Sequence, residues 1–125
     1  LPFNDVNKKI KEFITKLTTP PYEAKQGVIS GKILVGDMRE TLSVVKKESV
    51  DVVFFDPFSP KKQPDLWSEE VFKTVFELMK INGRLTTYSC ARIVRDNMKA
   101  VGFGVVDGPR VGRRSPSTVA IKKKN

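Results

Sequence analysis

A continuous apolar stretch that stops at a carboxylate constrains this chain more than any other feature. Residues 50–60 read VDVVFFDPFSP, so a run rich in β-branched and aromatic residues ends at Asp56 and a proline-rich segment follows. Such a run is typical of a strand that is buried on both faces of a parallel sheet. Ligands of open α/β sheets bind beyond the carboxyl ends of these strands. The pattern therefore predicts an α/β fold with Asp56 beside a binding crevice.

Asp56 and its neighbours each have two interpretations. Asp56 either accepts hydrogen bonds from the following loop as a turn residue or faces a ligand. Pro57 and Pro60 stiffen this loop more than a simple helix-starting turn requires, which favours the ligand. Phe58 either packs under the loop or forms an exposed apolar wall.

The composition favours a polyanionic partner. The 125 residues include 23 basic and 14 acidic side chains, which give a net charge of +9 and a pI near 9.8. A basic chain of this kind is suited to nucleic acid. The single cysteine, Cys90, and the lack of histidine argue against a disulfide and against a metal site. Without a membrane-span pattern or a signal-peptide layout at residues 1–3, we expect a cytoplasmic protein with no membrane partner.

Helices and strands alternate along most of the sequence. Apolar spacing predicts helices over residues 6–19, 40–47, 69–82 and 90–100. Strands are predicted over residues 32–35, 51–55, 84–88, 104–106 and 118–121. Caps or stops are assigned to Asp5, Ser68, Gly83, Ser89 and Gly102. The order predicts a mostly parallel sheet that ends in an antiparallel strand pair.

We expect one domain over residues 1–125. Residues 1–26 form a helical N-terminal segment of it, and residues 27–125 form the rest. A basic loop over residues 107–117 joins the last two strands. Residues 122–124 are three lysines, interpreted as a frayed tail.

Several of these segments together resemble one family of methyltransferases. The segments are GDMRE at residues 36–40, FDPFSPK at 55–61, PDLW at 64–67, residues 83–89, and GRR at 112–114. In this order and spacing they resemble the C-terminal half of the Rossmann-like, MnmC-like enzymes that methylate 5-aminomethyl groups on wobble uridines of tRNA. The resemblance covers about residues 30 to 122.

The resemblance implies S-adenosylmethionine as the methyl donor and tRNA as the substrate. It implies that Asp37 accepts a hydrogen bond from the donor's adenine amine, that Met38 lies beside the ring, and that Asp56 lies near the sulfonium. Asp56 would also orient the target amine or accept its proton, which suits methyl transfer because alignment and electrostatics supply much of its rate. The implied cofactor contacts are Gly36, Asp37, Met38 and Asp56, and the implied substrate contacts are Pro57, Phe58, Lys61, Ser89, Arg110, Arg113 and Arg114.

Structural interpretations stand beside these roles. Asp37 either binds adenine or caps the following short helix. Trp67 and Tyr88 are interpreted as core residues rather than base-stacking ones. The three arginines either contact phosphates or form a solvated loop.

The family's glycine-rich strand-to-helix turn and its ribose-binding acid are not found in this sequence. In the family's sheet, two further strands separate the strand at residue 32 from the strand at residue 51. The strand at residue 51 is therefore expected to have unpaired backbone groups unless a missing N-terminal half, a partner chain or self-association completes the sheet. The alternative function is a non-catalytic basic RNA-binding or regulatory subunit that lacks the donor site.

Overall fold

The computed structural model describes residues 3–110 and 112–124. The chain divides into two compact units, residues 1–41 and residues 42–125. The division falls after residue 41, whereas the sequence placed the end of its helical N-terminal segment at residue 26.

The first unit consists of helix α1 (Phe3–Leu17), a hairpin of strands β1 (Glu23–Gln26) and β2 (Ile29–Lys32), and the short helix α2 (Met38–Thr41). Gly31 lets α1 approach the hairpin, because a Cβ atom at this position would lie 3.0 Å from Leu17 Cδ2 and 3.1 Å from Phe13 Cζ. Asp5 lies inside the first turn of α1 and is not its N-cap.

The strand predicted over residues 32–35 is wrong, and the hairpin was missed. Residues 33–35 are outside any strand, and β2 ends at Lys32. The two-residue turn at Gly27 and Val28, with Gly27 at a φ of 60°, pairs β1 with β2 in antiparallel register. The local turn therefore decides the strand boundaries here.

The second unit contains a four-stranded mixed sheet with the strand order β3-β4-β6-β5. Its strands are β3 (Val50–Phe54), β4 (Met79–Thr87), β5 (Phe103–Asp107) and β6 (Thr118–Lys122). Strands β3 and β4 are parallel, whereas β6 is antiparallel to both β4 and β5. The predicted α/β class, the parallel pairing and the antiparallel pair at the edge are confirmed.

Strand β3 is not buried on both faces. It is an edge strand whose strand neighbour, among the residues described, is β4 alone. Val52 is 53% exposed and Phe54 is 83% exposed. The next side chain, Phe55, is buried against Trp67 and Phe72. Among the described residues, the outer backbone edge of β3 therefore has no strand neighbour, as expected.

The sheet packs against helices α3 (Glu69–Leu78) and α4 (Arg92–Ala100). The hydroxyl of Ser68 caps α3 as predicted, accepting a hydrogen bond from the Val71 amide. Gly102 follows α4 with a φ of 113°, in agreement with the predicted stop. The N-cap of α4 is Ala91 rather than Ser89.

Gly83 is not the stop of α3, because α3 ends at Leu78 and Gly83 lies within β4. A Cβ atom on Gly83 would lie 2.8 Å from the Lys80 carbonyl oxygen and 3.1 Å from that of Asp51. The strand register is irregular at this place, between Val50 and Val52. Glycine therefore permits close approach of the β3 and β4 backbones.

Lys122 is part of β6 and not of a frayed tail. It is only 8% exposed, and its Nζ donates hydrogen bonds to the carbonyl oxygens of Phe76 and Met79, each at 2.8 Å. A cation is favourable at this place because the last carbonyls of a helix carry partial negative charge.

Across residues 3–110 and 112–124, no helix combines the length and the apolar character that crossing a bilayer requires.

Candidate functional site

Asp56 lies just beyond the carboxyl end of the parallel pair β3 and β4. The last pairing bond runs from the Phe55 amide to the Thr86 carbonyl oxygen at 2.9 Å, and Asp56 is exposed directly after it. The chain thus places a solvent-facing carboxylate where open α/β sheets bind their ligands. In the described part of the chain, no side chain or amide donates a hydrogen bond to its carboxylate, so the turn interpretation receives no support.

The loop after Asp56 is held by one buried side chain. Trp67 is 2% exposed, and its indole Nε1 donates a hydrogen bond of 2.8 Å to the carbonyl oxygen of Phe58. Pro57 is half-buried, whereas Phe58 is 70% exposed. The exposed-wall interpretation of Phe58 therefore agrees with the structure.

Lys61 lies in a tight turn that begins at Ser59. The amides of Lys62 and Gln63 both donate to the Ser59 carbonyl oxygen at 2.9 Å. Lys61 is exposed on the turn, where its ammonium group is available to an anionic ligand. Its role as a substrate contact stays a prediction.

Trp67 also contacts two aromatic rings, those of Phe55 and Tyr88. Its ring packs edge-on against that of Phe55 at a centroid distance of 5.2 Å and against that of Tyr88 at 6.1 Å. The Asn97 side chain of α4 donates a hydrogen bond of 2.9 Å to the Trp67 carbonyl oxygen. Trp67 is a core residue as expected, but Tyr88 is 42% exposed and is not.

Ser89 is buried just after the end of β4, and it forms hydrogen bonds with other residues of the chain. Its hydroxyl accepts a hydrogen bond of 3.3 Å from the Ala91 amide. Its carbonyl oxygen accepts one of 2.6 Å from the Thr118 hydroxyl. These bonds shape the entry to α4, and a substrate contact by Ser89 stays a prediction.

The basic loop is anchored by Arg113. Its Nη2 donates hydrogen bonds to the carbonyl oxygens of Tyr88 and Pro116, so the loop is tied to the end of β4. Arg110 and Arg114 are exposed. Of the three arginines, Arg113 therefore has a structural role, and the other two present their charges to solvent.

Sequence reasoning missed Arg95, which ties both ends of the basic loop to α4. Its guanidinium donates to Asp107 Oδ1 at 2.6 Å, to Thr118 Oγ1 at 2.9 Å and to the Ser117 carbonyl oxygen at 3.2 Å. These partners follow Arg95 by 12 to 23 residues, so no local pattern signals the contacts.

Asp37 belongs to the first unit and is engaged by Arg39. The guanidinium of Arg39 contacts both carboxylate oxygens of Asp37, with Nη2 at 2.6 Å from Oδ2. The Arg39 amide donates to Oδ1 at 2.9 Å. The side-chain hydrogen bonds from Arg39, followed by this backbone bond, lower the pKa of Asp37 to about 2. The carboxylate thus caps α2, as the structural interpretation expected.

Gly36 and Met38 flank Asp37. Gly36 has a φ of 141°, and a Cβ atom on it would lie 3.1 Å from Thr41 Cγ2. Glycine is therefore suited to this turn. Met38 is half-buried. The adenine contacts of these three residues stay predictions.

Comparison with known proteins identifies the family. A family described as S-adenosyl-L-methionine-dependent methyltransferase matches residues 3–123. The MnmC protein of Ralstonia nicotianae, named as a bifunctional protein of tRNA 5-methylaminomethyl-2-thiouridine biosynthesis, is 36% identical over 94 residues. The uncharacterized protein MJ0670 of Methanocaldococcus jannaschii is 30% identical over 120 residues, which are 96% of this chain.

A solved structure has the same fold. The crystal structure of MNMC2 from Aquifex aeolicus aligns with a TM-score of 0.79 and 31% sequence identity, covering 94% of this chain. This chain spans 37% of that structure, 33% of MJ0670 and 14% of the Ralstonia protein, which itself covers 75% of this chain. The chain therefore belongs to the S-adenosyl-L-methionine-dependent methyltransferase family, and within that family it is MnmC-like.

Proposed function

We propose that this chain, as part of a larger or associated methyltransferase, N-methylates an aminomethyl group on a wobble uridine of tRNA with S-adenosylmethionine. The observation that carries the proposal is the exposed Asp56 carboxylate after β3, in a loop held by the 2.8 Å hydrogen bond between Trp67 Nε1 and the Phe58 carbonyl oxygen. The name of the Ralstonia relative includes 5-methylaminomethyl-2-thiouridine biosynthesis. This name supports a 5-methylaminomethyl nucleoside as the product of the proposed reaction.

Asp56 suits the chemistry of an amine nucleophile. An aliphatic amine is protonated in water and must lose a proton before its nitrogen lone pair can attack. The Asp56 carboxylate accepts that proton directly or through water, and it orients the N–H bonds. When bound, the donor supplies a methyl group carried on a positively charged sulfur. A negative charge beside that sulfur is electrostatically favourable.

The residues of this chain fit one part of the donor. Asp37 is exposed, but both its carboxylate oxygens already accept hydrogen bonds from Arg39, so an adenine amine would have to share or displace these contacts. Met38 and Gly36 complete the expected adenine side. Among the described residues, no glycine-rich turn joins a strand to a helix, and such a turn is what holds the methionine end in this fold class. We infer that other residues supply that part of the site.

The open edge of β3 supports the same inference. Its outer backbone groups need partners, and Val52 and Phe54 expose apolar surface on that strand. Additional strands from a missing N-terminal half would pair with this edge and cover these side chains. Alternatively, two copies of this chain could associate through β3, which would also pair this edge and cover these side chains.

Two measurements test the proposed function. The complete enzyme is incubated with tRNA that carries a 5-aminomethyl wobble uridine and with labelled S-adenosylmethionine, and the tRNA is then digested to nucleosides. We expect label in the 5-methylaminomethyl nucleoside, whereas label on another exocyclic amine would contradict the proposed substrate. Calorimetry of the complete enzyme with the donor provides the second test, because absence of binding would favour the non-catalytic RNA-binding subunit.

The same titration on the chain alone tests the incomplete site. We expect weak or undetectable donor binding, because residues 3–110 and 112–124 contain no glycine-rich turn for the methionine end. Tight stoichiometric binding by a monomer of this chain would show that the donor site is complete without further residues.

A further inference from the structure

Two exposed aromatic rings follow the two parallel strands. Phe58, 70% exposed, comes four residues after the end of β3, and Tyr88, 42% exposed, comes directly after β4. Phe54 of β3 pairs with Thr86 of β4, so both strands end at the same edge of the sheet. Both rings therefore belong to the edge that carries Asp56.

One buried residue positions both of them. Trp67 donates its indole hydrogen to the Phe58 carbonyl oxygen, and its ring meets that of Tyr88 edge-on, with an angle of 86° between the planes. Asn97 fixes the Trp67 backbone from α4. The Phe58 backbone and the Tyr88 ring thus contact the same indole.

Tyr88 is held through its backbone as well. Arg113 donates a hydrogen bond to the Tyr88 carbonyl oxygen, which ties the residue to the basic loop. The arrangement keeps a large aromatic ring at the surface although burial of such a ring is favourable. A ring that is fixed and still exposed beside the basic side chain of Arg113 is suited to stacking with an unpaired nucleobase.

We propose that Tyr88 contacts the unpaired pyrimidine ring of the RNA substrate together with Phe58, and that Trp67 positions both residues, Phe58 through its backbone and Tyr88 through its ring. This inference rests on the proposed function, because it takes the RNA to lie at the edge marked by Asp56. It adds Tyr88 and Trp67 to the residues that the sequence assigned to substrate binding.

The test compares two RNA hairpins with identical stems. One is a fluorescein-labelled anticodon stem-loop with uridine at the wobble position, and the other has an abasic ribose there. Binding of each to the complete enzyme is measured by fluorescence anisotropy. Tyr88→Ala should weaken binding of the uridine hairpin by roughly 5- to 100-fold, the range for loss of one base-aromatic stack. Binding of the abasic hairpin should scarcely change.

Three further variants sharpen the comparison. Tyr88→Phe keeps the ring and should bind both hairpins normally. Val106→Ala removes an exposed apolar side chain from β5, at the other edge of the sheet, and should leave discrimination between the hairpins intact. Trp67→Phe removes the indole donor while keeping an aromatic ring, and it should reduce discrimination while thermal unfolding remains cooperative.

Specific outcomes would overturn the inference. These are an equal effect of Tyr88→Ala on both hairpins, no effect on either, or loss of S-adenosylmethionine binding with unchanged RNA binding, which would assign Tyr88 to the donor. A different result would overturn the proposed function without overturning this inference. If nucleoside analysis finds no methylated product while Tyr88→Ala still affects the uridine hairpin alone, the base contact stands and the proposed reaction does not.

Discussion

The side-chain nitrogen of Lys122 donates a hydrogen bond of 2.8 Å to the carbonyl oxygen of Met79, at the point where α3 passes into β4. The same nitrogen bonds the Phe76 carbonyl oxygen and lies 4.6 Å from the centre of the Phe76 ring. The last strand of the sheet thus satisfies carbonyl groups at the end of a helix more than 40 residues earlier in the chain.

Replacement of Lys122 by alanine should lower the free energy of unfolding by about 2 kcal/mol, the scale for loss of hydrogen bonds to a charged group. Lys122→Met keeps the aliphatic packing and should lose less. Urea unfolding of the chain measures both values. Lys124→Ala is the matched control, because Lys124 is exposed, and its effect should stay within about 0.5 kcal/mol. Equal effects at both positions would contradict the role of Lys122.

The ion pair between Asp37 and Arg39 predicts a local pH dependence. Arg39 lowers the folded-state pKa of Asp37 from 3.8 to about 2, so folding favours the ionised carboxylate. The stabilisation is fully present above pH 3.8 and is lost as the pH falls through about 2. Arg39→Ala should return the pKa towards 3.8, which a carboxyl ¹³C NMR titration of Asp37 can follow. An unchanged titration midpoint in the variant would assign the lowered pKa to another cause.

Asp56→Asn should leave the fold intact and slow methyl transfer by the complete enzyme by roughly 10²-fold or more, because the amide keeps the shape but cannot take up a proton. The rate is measured as labelled methyl groups transferred to tRNA. Asp51→Asn is the matched control. It replaces a different exposed carboxylate, in β3, which forms an ion pair with Lys80 at 3.5 Å. Similar methyl-transfer rates for the two variants would contradict a catalytic role of Asp56.

Arg110 and Arg114 should contribute to the salt dependence of RNA binding. If each contacts a phosphate, the double variant Arg110→Ala, Arg114→Ala should flatten the slope of log affinity against log salt by about 1.8. Anisotropy titrations of the complete enzyme with tRNA at several salt concentrations measure this slope. Lys8→Ala, Lys11→Ala removes the same charge from α1. A flatter slope in this control alone would place the RNA on α1.

Arg113 should behave differently from the other two arginines. Its guanidinium bonds the Tyr88 and Pro116 carbonyl oxygens, so Arg113→Ala should lower thermal stability. Its contribution to phosphate contact stays a prediction. Arg113→Lys keeps the charge but cannot reproduce the planar guanidinium donors, and comparison of the two variants separates charge from anchoring.

The sequence by itself determined the local features of the fold. The strand over residues 51–54, the Ser68 cap and the Gly102 stop all follow from patterns within a few residues. Helix caps and strand periods are local because they depend on backbone hydrogen bonds and on side chains that alternate between faces. The motifs at residues 36–40 and 55–61 also carried the family resemblance, which the comparisons confirmed.

Only the tertiary structure decided which strands and side chains meet. It placed β3 at an edge with Val52 and Phe54 exposed, although an apolar run alone predicts burial on both faces. It also brought the Lys122 ammonium group to the carbonyl oxygens at the end of α3. In addition, it linked Phe58, Tyr88 and α4 through Trp67. Burial depends on which neighbours pack against a strand, and these contacts join residues up to 46 positions apart. A pattern confined to one element does not contain that information.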